Sequence, residues 1–503
     1  MDAGFRERMK CQGLMGKVMA ADEAAGLVRD GMTVGASGFT PAGYPKAVPL
    51  ALARMVEESG RPFGINLLTG ASVGDELDGA LARAGAIRRR LPYQTNGPMR
   101  DSINNGDVMF LDVHLSQVPQ QCRRGFYGPL DLAIVEAVMI TPEGNIIPST
   151  SVGSTPSFVK CARRIIIEIN TSQPLDLVGM HDIYVPEDPP ARRPIPLVAP
   201  DQRIGTNYIP CDPGRIAAIV ETDIVDNVRP LSPTDDVSRA IASHLIEFLE
   251  HEVENGRLPS NLLPLQSGVG SVANAVLAGL LDSDFEGMTL YSEVIQDSAL
   301  DLLDAGKIRS ASATSLTISP SRLPGMYAGM KEYRNRIVLR PQEISNSPEV
   351  IRRLGCIAMN TAIEADIYGN VNSTTILGSR MMNGIGGSGD FSRNAHLTIF
   401  AMGSTAKGGS VSSVVPMVSH VDHTEHDVHI IVTEQGLADI RGLAPRERAR
   451  AIIRNCAHPD FRPLLMDYVS EAERAGGHTP HLLRDALSWH VRYQETGTMV
   501  MPR

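Results

Sequence analysis

Short β-rich runs alternate with helix-forming stretches through this chain, and that alternation limits the fold more than any single motif. Met32-Thr33-Val34-Gly35-Ala36 reads as a strand, followed by a turn rich in glycine and proline, Gly38-Phe39-Thr40-Pro41-Ala42-Gly43-Tyr44-Pro45. A helix is expected next, from about Ala47 to Glu58. Ile65 to Thr69, Leu132 to Glu136 and Arg164 to Glu168 read as further strands. Strand–helix–strand order at this spacing predicts an α/β fold, a mostly parallel sheet with helices on its faces.

The same grammar restarts after a proline-punctuated stretch, Val228-Arg-Pro-Leu-Ser-Pro233, and an amphipathic helix expected from Asp235 to Glu254. Leu262-Leu-Pro-Leu-Gln266 leads into Gly268-Val-Gly270-Ser-Val-Ala273, a glycine turn that opens a helix. The 503 residues suffice for two domains, each with its own core. We place the boundary at residues 1–229 and 230–503. Tyr184 to Pro200 is dense in proline and reads as a surface excursion.

Composition removes several classes. Apolar residues make up 43% and charged residues 21%, so the chain is neither disordered nor collagen-like. No apolar run approaches the roughly 18 residues of a membrane helix, and no membrane partner is expected. The segment MDAGFRERMKCQGLMGK is basic without an apolar stretch or cleavage site, which reads against a secretory signal. The six cysteines are scattered with no CxxC, which favours a reducing compartment over a disulfide framework or a zinc ribbon. The net charge of −10 carries no basic stripe, so no nucleic-acid partner is expected; Arg88-Arg89-Arg90 reads as a solvated helix end.

Four segments carry candidate chemistry. Gly268-Val-Gly270-Ser-Val-Ala273 has the form GxGxxA, with Glu293 20 residues beyond it, the spacing of a dinucleotide fingerprint. Pro264 fits poorly in the central strand that such a unit needs, and a purely structural turn is an alternative. Met382-Asn-Gly384-Ile-Gly386-Gly387-Ser-Gly389 holds four glycines in six residues, an entropic cost that suits backbone amides aimed at ligand oxygens. His420, His423, His426 and His429 recur every third residue. In extended chain that spacing scatters the rings, so a polar strand entry is expected and no metal site. Lastly, Glu293 and Glu434 each end an apolar strand, where parallel sheets place their clefts. No serine-hydrolase elbow, a GxSxG with its expected histidine context, stands out, Gly387-Ser388-Gly389 lacking the spacing, and no Walker A sequence is present.

The segments Ser37–Lys46, Leu68–Ala71, Leu265–Gly270, Tyr291–Asp297, Gln342–Ser347, Met382–Phe391 and Thr433–Asp439 with Arg441-Gly442 together resemble the class I CoA-transferases of the acetyl-CoA hydrolase/transferase family. Within it, the chain is most similar to the branch that moves CoA between succinate and acetate. The resemblance runs nearly end to end. It implies two similar α/β domains, each a mostly parallel sheet flanked by helices, with the active site in the cleft between them and the nucleophile on the C-terminal one. It also implies a cytoplasmic homodimer whose substrates are acyl-CoA, CoA and small carboxylates. Coenzyme A is then a substrate, and no metal or redox cofactor is expected.

By the same resemblance Glu293 is the nucleophile, forming acyl–glutamyl anhydrides and a glutamyl–CoA thioester. Gly387 offers an oxyanion donor, and Glu434 orients Glu293. CoA falls to Gly268, Val269, Gly270, Ser271, Val272, Asn383, Gly387 and Lys407. The small carboxylate falls to Val269, Asn346 and Gly387. A dinucleotide-dependent oxidoreductase, built on GxGxxA with Glu293, is the distant alternative, and a sibling acyl specificity or acetyl-CoA hydrolysis the near one.

Overall fold

The structure is a computed structural model that describes residues 3–230, 234–268 and 270–500. Its packing divides the chain into two compact units. The first comprises Met1–Pro230, Leu290–Leu300 and Arg309–Leu354; the second comprises Leu231–Thr289, Asp301–Ile308 and Gly355–Arg503. The division after Pro230 lies beside the expected boundary, but the chain later returns to the first unit. Glu293, expected on a C-terminal domain, packs there.

The first unit is built on a parallel sheet. Its order is Ile216–Thr222, Arg164–Asn170, Leu132–Ile140, Thr33–Ala36, Ile65–Leu68, Ile87–Leu91, Met109–Phe110. Ile146–Pro148 pairs antiparallel with Leu132–Ile140. The central strands are β-branched and buried on both faces, as in Arg164-Ile-Ile-Ile-Glu-Ile-Asn170, which suits a sheet covered by helices.

Buried charges pin the turn after the first strand. Glu168 accepts from the backbone N–H groups of Lys46 (2.8 Å), Ala47 (3.0 Å) and Val48 (2.7 Å), starting the helix Ala47–Ser59. Lys46, with no exposed surface, meets Glu136 at 2.5 Å and Asp226 at 2.9 Å. Burial would lower its ammonium value, but Asp226 and Glu136 outweigh burial and raise it.

The basic run corrects the sequence reading. Ile87–Leu91 is a strand and not a helix end, with Arg90 fully buried. Arg90 lies inside, where Asp78 at 2.7 Å and the carbonyls of Ser72 and Leu91 take its donors. Arg88 remains outside, paired with Asp30. The prolines of 184–200 make an irregular excursion as expected, yet Ile195 and Leu197 within it are buried.

In the second unit, Leu265–Ser267, Ile357–Thr361, Leu397–Ala401 and Ile430–Thr433 run parallel, and Gly436–Asp439 folds back antiparallel. Pro264 sits just before its strand, where its carbonyl accepts from Ile357 and no ladder N–H is required of it. The helix Asp236–Glu254 is capped by Asp235, whose carboxylate accepts from Ser238 N at 2.7 Å. Among the described residues no helix is long and apolar enough to cross a membrane.

Candidate active site

Glu293 lies two residues beyond the strand Met288–Tyr291 and is only 7% exposed. Its backbone is fixed first: its carbonyl accepts from Thr314 N (2.9 Å) and Ser315 N (3.2 Å). Its side chain meets one sequence-expected partner, since Asn346 Nδ2 donates to Glu293 Oε1 over 3.2 Å. Asn346 is fully buried at the end of the short helix Gln342–Ser345, and its own N–H donates to the Gln342 carbonyl at 2.8 Å. The Asn346 Oδ1 is buried and unpartnered among the described residues, so this amide has acceptor capacity to offer a ligand.

Apolar side chains line the neighbouring segment. Val294 packs with Phe39, Ala71, Leu115 and Tyr93. Burial, with Asp112 and Glu293 nearby, pushes the Tyr93 phenol up to about 12. The turn that bears Asn346 is threaded tightly here. A Cβ on Gly70 would lie 2.5 Å from the Gly38 carbonyl oxygen and 2.8 Å from Gln342 Oε1, so only glycine fits. Gln342 Nε2 in turn holds the Leu115 carbonyl at 2.9 Å.

The second unit carries most of the remaining expected residues. Glu434 ends the strand Ile430–Thr433 and is held from two sides. Ser404 N donates to Oε2 at 2.8 Å, while Ser404 Oγ and Gln435 Nε2 donate to Oε1. Burial alone would raise the Glu434 carboxyl, but these donors outweigh it and the group sits below its ordinary value.

In the glycine cluster, Gly386 adopts φ +59, and Gly387 caps the helix Ser388–Asn394 without a side-chain hydrogen bond. Asn383 Nδ2 donates to the carbonyls of Ser373 (3.1 Å) and Gly384 (2.9 Å), so it braces the loop. Lys407 is exposed with φ +51 and leads into Gly408 and Gly409.

The other glycine turn opens the helix Ser271–Asp282. Gly268 N donates to the Met359 carbonyl at 3.0 Å, and Gly270, at φ +127, caps the helix with no side chain. The first-turn amides, at Ser271 and Val272, lack a side-chain cap and can serve an anionic ligand. Val269 lies outside the described residues.

Three histidines of the run have separate partners, in a segment that turns at 425–427 rather than running extended. His423 is buried, with Nε2 3.1 Å from Ser388 Oγ and its ring 4.6 Å from that of Phe400. His420 faces Asp422 at 3.3 Å, and His429 Nδ1 accepts from Thr398 N at 3.1 Å. Among the described residues no cluster of His, Cys, Asp and Glu is arranged to hold a metal ion.

Sequence reasoning missed several residues around Glu293. Tyr93 carries no motif. Arg123 meets Glu343, the neighbour of Gln342, only through tertiary folding, across a separation of 220 positions. The acidic Glu343 inside an otherwise apolar and polar-neutral run, Pro341-Gln-Glu-Ile-Ser-Asn346, was the signal available.

A parallel α/β protein with a buried, amide-held glutamate at a strand end is the class that fold and site define. Family profiles place it further: the acetyl-CoA hydrolase/transferase N-terminal domain matches residues 6–221, and the C-terminal domain of the same family matches 324–469. The chain is 56% identical to the succinyl-CoA:acetate CoA-transferase of Clostridium kluyveri, covering 98% of this chain and 92% of that one. It is 47% identical to the acetyl-CoA hydrolase of Eremothecium gossypii (99% and 98% covered) and 46% identical to the propanoyl-CoA:succinate CoA transferase of Escherichia coli (96% and 98% covered). The 4-hydroxybutyrate CoA-transferase of Porphyromonas gingivalis shares the fold, with a TM-score of 0.63, 22% identity and coverage of 93% and 98%. The chain belongs to the acetyl-CoA hydrolase/transferase family and is an enzyme of the CoA-transferase type.

Proposed function

We propose that the enzyme moves CoA reversibly between succinyl-CoA and acetate, with Glu293 as the nucleophile. The observation that carries this reading is the burial of Glu293 against the Asn346 amide at 3.2 Å. A carboxylate attacks poorly while fully hydrated, and partial removal from water beside a fixed donor favours attack.

A Glu293 carboxylate oxygen attacks the thioester carbonyl of succinyl-CoA. The C–S bond breaks, giving a succinyl–glutamyl anhydride and CoA thiolate. The thiolate attacks the glutamyl carbonyl, the anhydride C–O bond breaks, and succinate leaves behind a glutamyl–CoA thioester. Acetate attacks that thioester and expels the thiolate, which then takes the acetyl group and restores Glu293. Each step passes through an oxyanion, which preorganised N–H donors stabilise.

The resemblance supports the remaining assignments: Gly387 as oxyanion donor and Glu434 as an orienting carboxylate. It likewise supports Gly268–Val272, Asn383, Gly387 and Lys407 for CoA, and Val269, Asn346 and Gly387 for the small carboxylate. It also supports a cytoplasmic homodimer working without metal or redox cofactor. The hydrolase relative favours a second reading, in which water takes the acyl or thioester group.

Intact mass after brief incubation with succinyl-CoA and a mild acid quench tests the first reading. The expected result is an added CoA less one water, absent in Glu293→Ala. Steady release of CoA with unchanged mass would favour the hydrolase. An adduct that persists in Glu293→Ala would remove Glu293 from the chemistry.

A further inference from the structure

We propose that Arg123 and Glu343 are positioning residues that set the Asn346–Glu293 contact, an inference that rests on Glu293 being the nucleophile. Asn346 ends a helix of only four residues, Gln342–Ser345. So short a helix has little stability of its own, and its orientation must come from what grips its side chains. Gln342 is held through the Leu115 carbonyl, and the Ile344 carbonyl accepts from Tyr291 Oη at 2.5 Å. Glu343 is held by Arg123.

That grip is a two-point fork. Arg123 Nη1 donates to Glu343 Oε2 at 2.7 Å and Nη2 to Oε1 at 2.8 Å. The side chains of Arg123 and Glu343 are 3% and 6% exposed. A withdrawn ion pair recovers little net stability, because desolvation offsets its attraction. What a bidentate pair does supply is fixed geometry.

The other donors of Arg123 tie the fork to its surroundings. Nη1 reaches Ser157 Oγ at 2.7 Å, and Nε and Nη2 hold Asp188 in the proline-rich excursion, with Nη2–Oδ1 at 2.7 Å. Arg192, from the same excursion, adds a contact to Glu343 Oε1 at 3.0 Å. Beyond Asn346, Glu349 accepts from Ile195 N at 3.0 Å, and Arg353 holds the Ile195 carbonyl at 2.7 Å. The excursion therefore grips the chain on both sides of Asn346. The family reading gave no role to this proline-rich segment, and here it serves as the outer anchor of the asparagine.

Arg123→Lys keeps the charge and loses the fork. The expected outcome is a fall in kcat of about 10- to 100-fold, the size of a sub-ångström to ångström misplacement, with KM within about twofold. Glu343→Gln, which removes the charge at nearly constant volume, is expected to show the same pattern and serves if the first variant folds poorly.

The deciding measurement is a double-mutant cycle read by the rate of thioester-adduct formation in single turnover. If Arg123 acts through Asn346, Arg123→Lys adds no further loss to Asn346→Ala. Losses that multiply, or a wild-type adduct rate in both Arg123→Lys and Glu343→Gln, would overturn the positioning role while leaving Glu293 in place. A wild-type enzyme that forms no adduct at all would overturn the nucleophile reading and this inference with it.

Discussion

Glu293 and Glu434 look alike in sequence, each a carboxylate closing an apolar strand, and the structure gives them different surroundings. Glu293 is almost fully buried and receives the Asn346 amide on one oxygen at 3.2 Å. Glu434 is half-buried, and both oxygens are engaged by Ser404 and Gln435. Donors that favour the charged form lower a carboxyl's proton affinity, and the same lowering dulls it as a nucleophile. The comparison teaches that motif position selects candidates for covalent chemistry, while burial and the local partners give two such candidates different environments.

Substitutions can break this contrast. The largest effect is expected from Glu293→Ala, which should lower turnover by at least about a thousandfold while CoA still binds. An equal loss in Glu434→Ala, measured in the same transfer assay, would erase the distinction. Asn346→Ala should cost about a hundredfold in kcat, comparable to removing one preorganised donor.

Glu434→Gln should cost about tenfold and should also change the acid response. Because the folded value of Glu434 is depressed, its contribution is present above the unfolded carboxylate value and lost as pH falls through the folded one. Thermal melts between about pH 5 and pH 3 should therefore decline less steeply in Glu434→Gln than in wild type. A parallel decline would show that Ser404 and Gln435 do not hold the carboxylate as described.

The smallest expected effect is that of a strong chelator, which should leave turnover unchanged. Loss of activity restored by added zinc would give the histidine run a role that the separate partners of His420, His423 and His429 do not suggest.

Much of the fold was legible because periodicity is local. The helix expected from Ala47 to Glu58 is Ala47–Ser59, and the strand begun at Arg164 extends to Asn170. Arg88-Arg89-Arg90 was misread because charge density says nothing of direction. Only the fold, which sets Asp78 beside it, makes Arg90 an interior residue. At the site, Glu293 and Asn346 were legible through motif resemblance, whereas Arg123 and Tyr93 were not. A hydrogen bond across 220 positions leaves no local trace.

The sequence by itself determined the alternating α/β grammar, the glycine turns and the two strand-end glutamates. These depend on near neighbours: β-branched runs, glycine's conformational range and the period of apolar residues. Tertiary structure alone decided which glutamate is almost fully buried beside Asn346 and which is half-buried among the donors of Ser404 and Gln435. It also decided that segments 290–300 and 309–354 pack with the first unit. The reason is physical. Burial and hydrogen-bond partnership belong to atoms brought together by folding, and the character of a carboxylate is set by those neighbours.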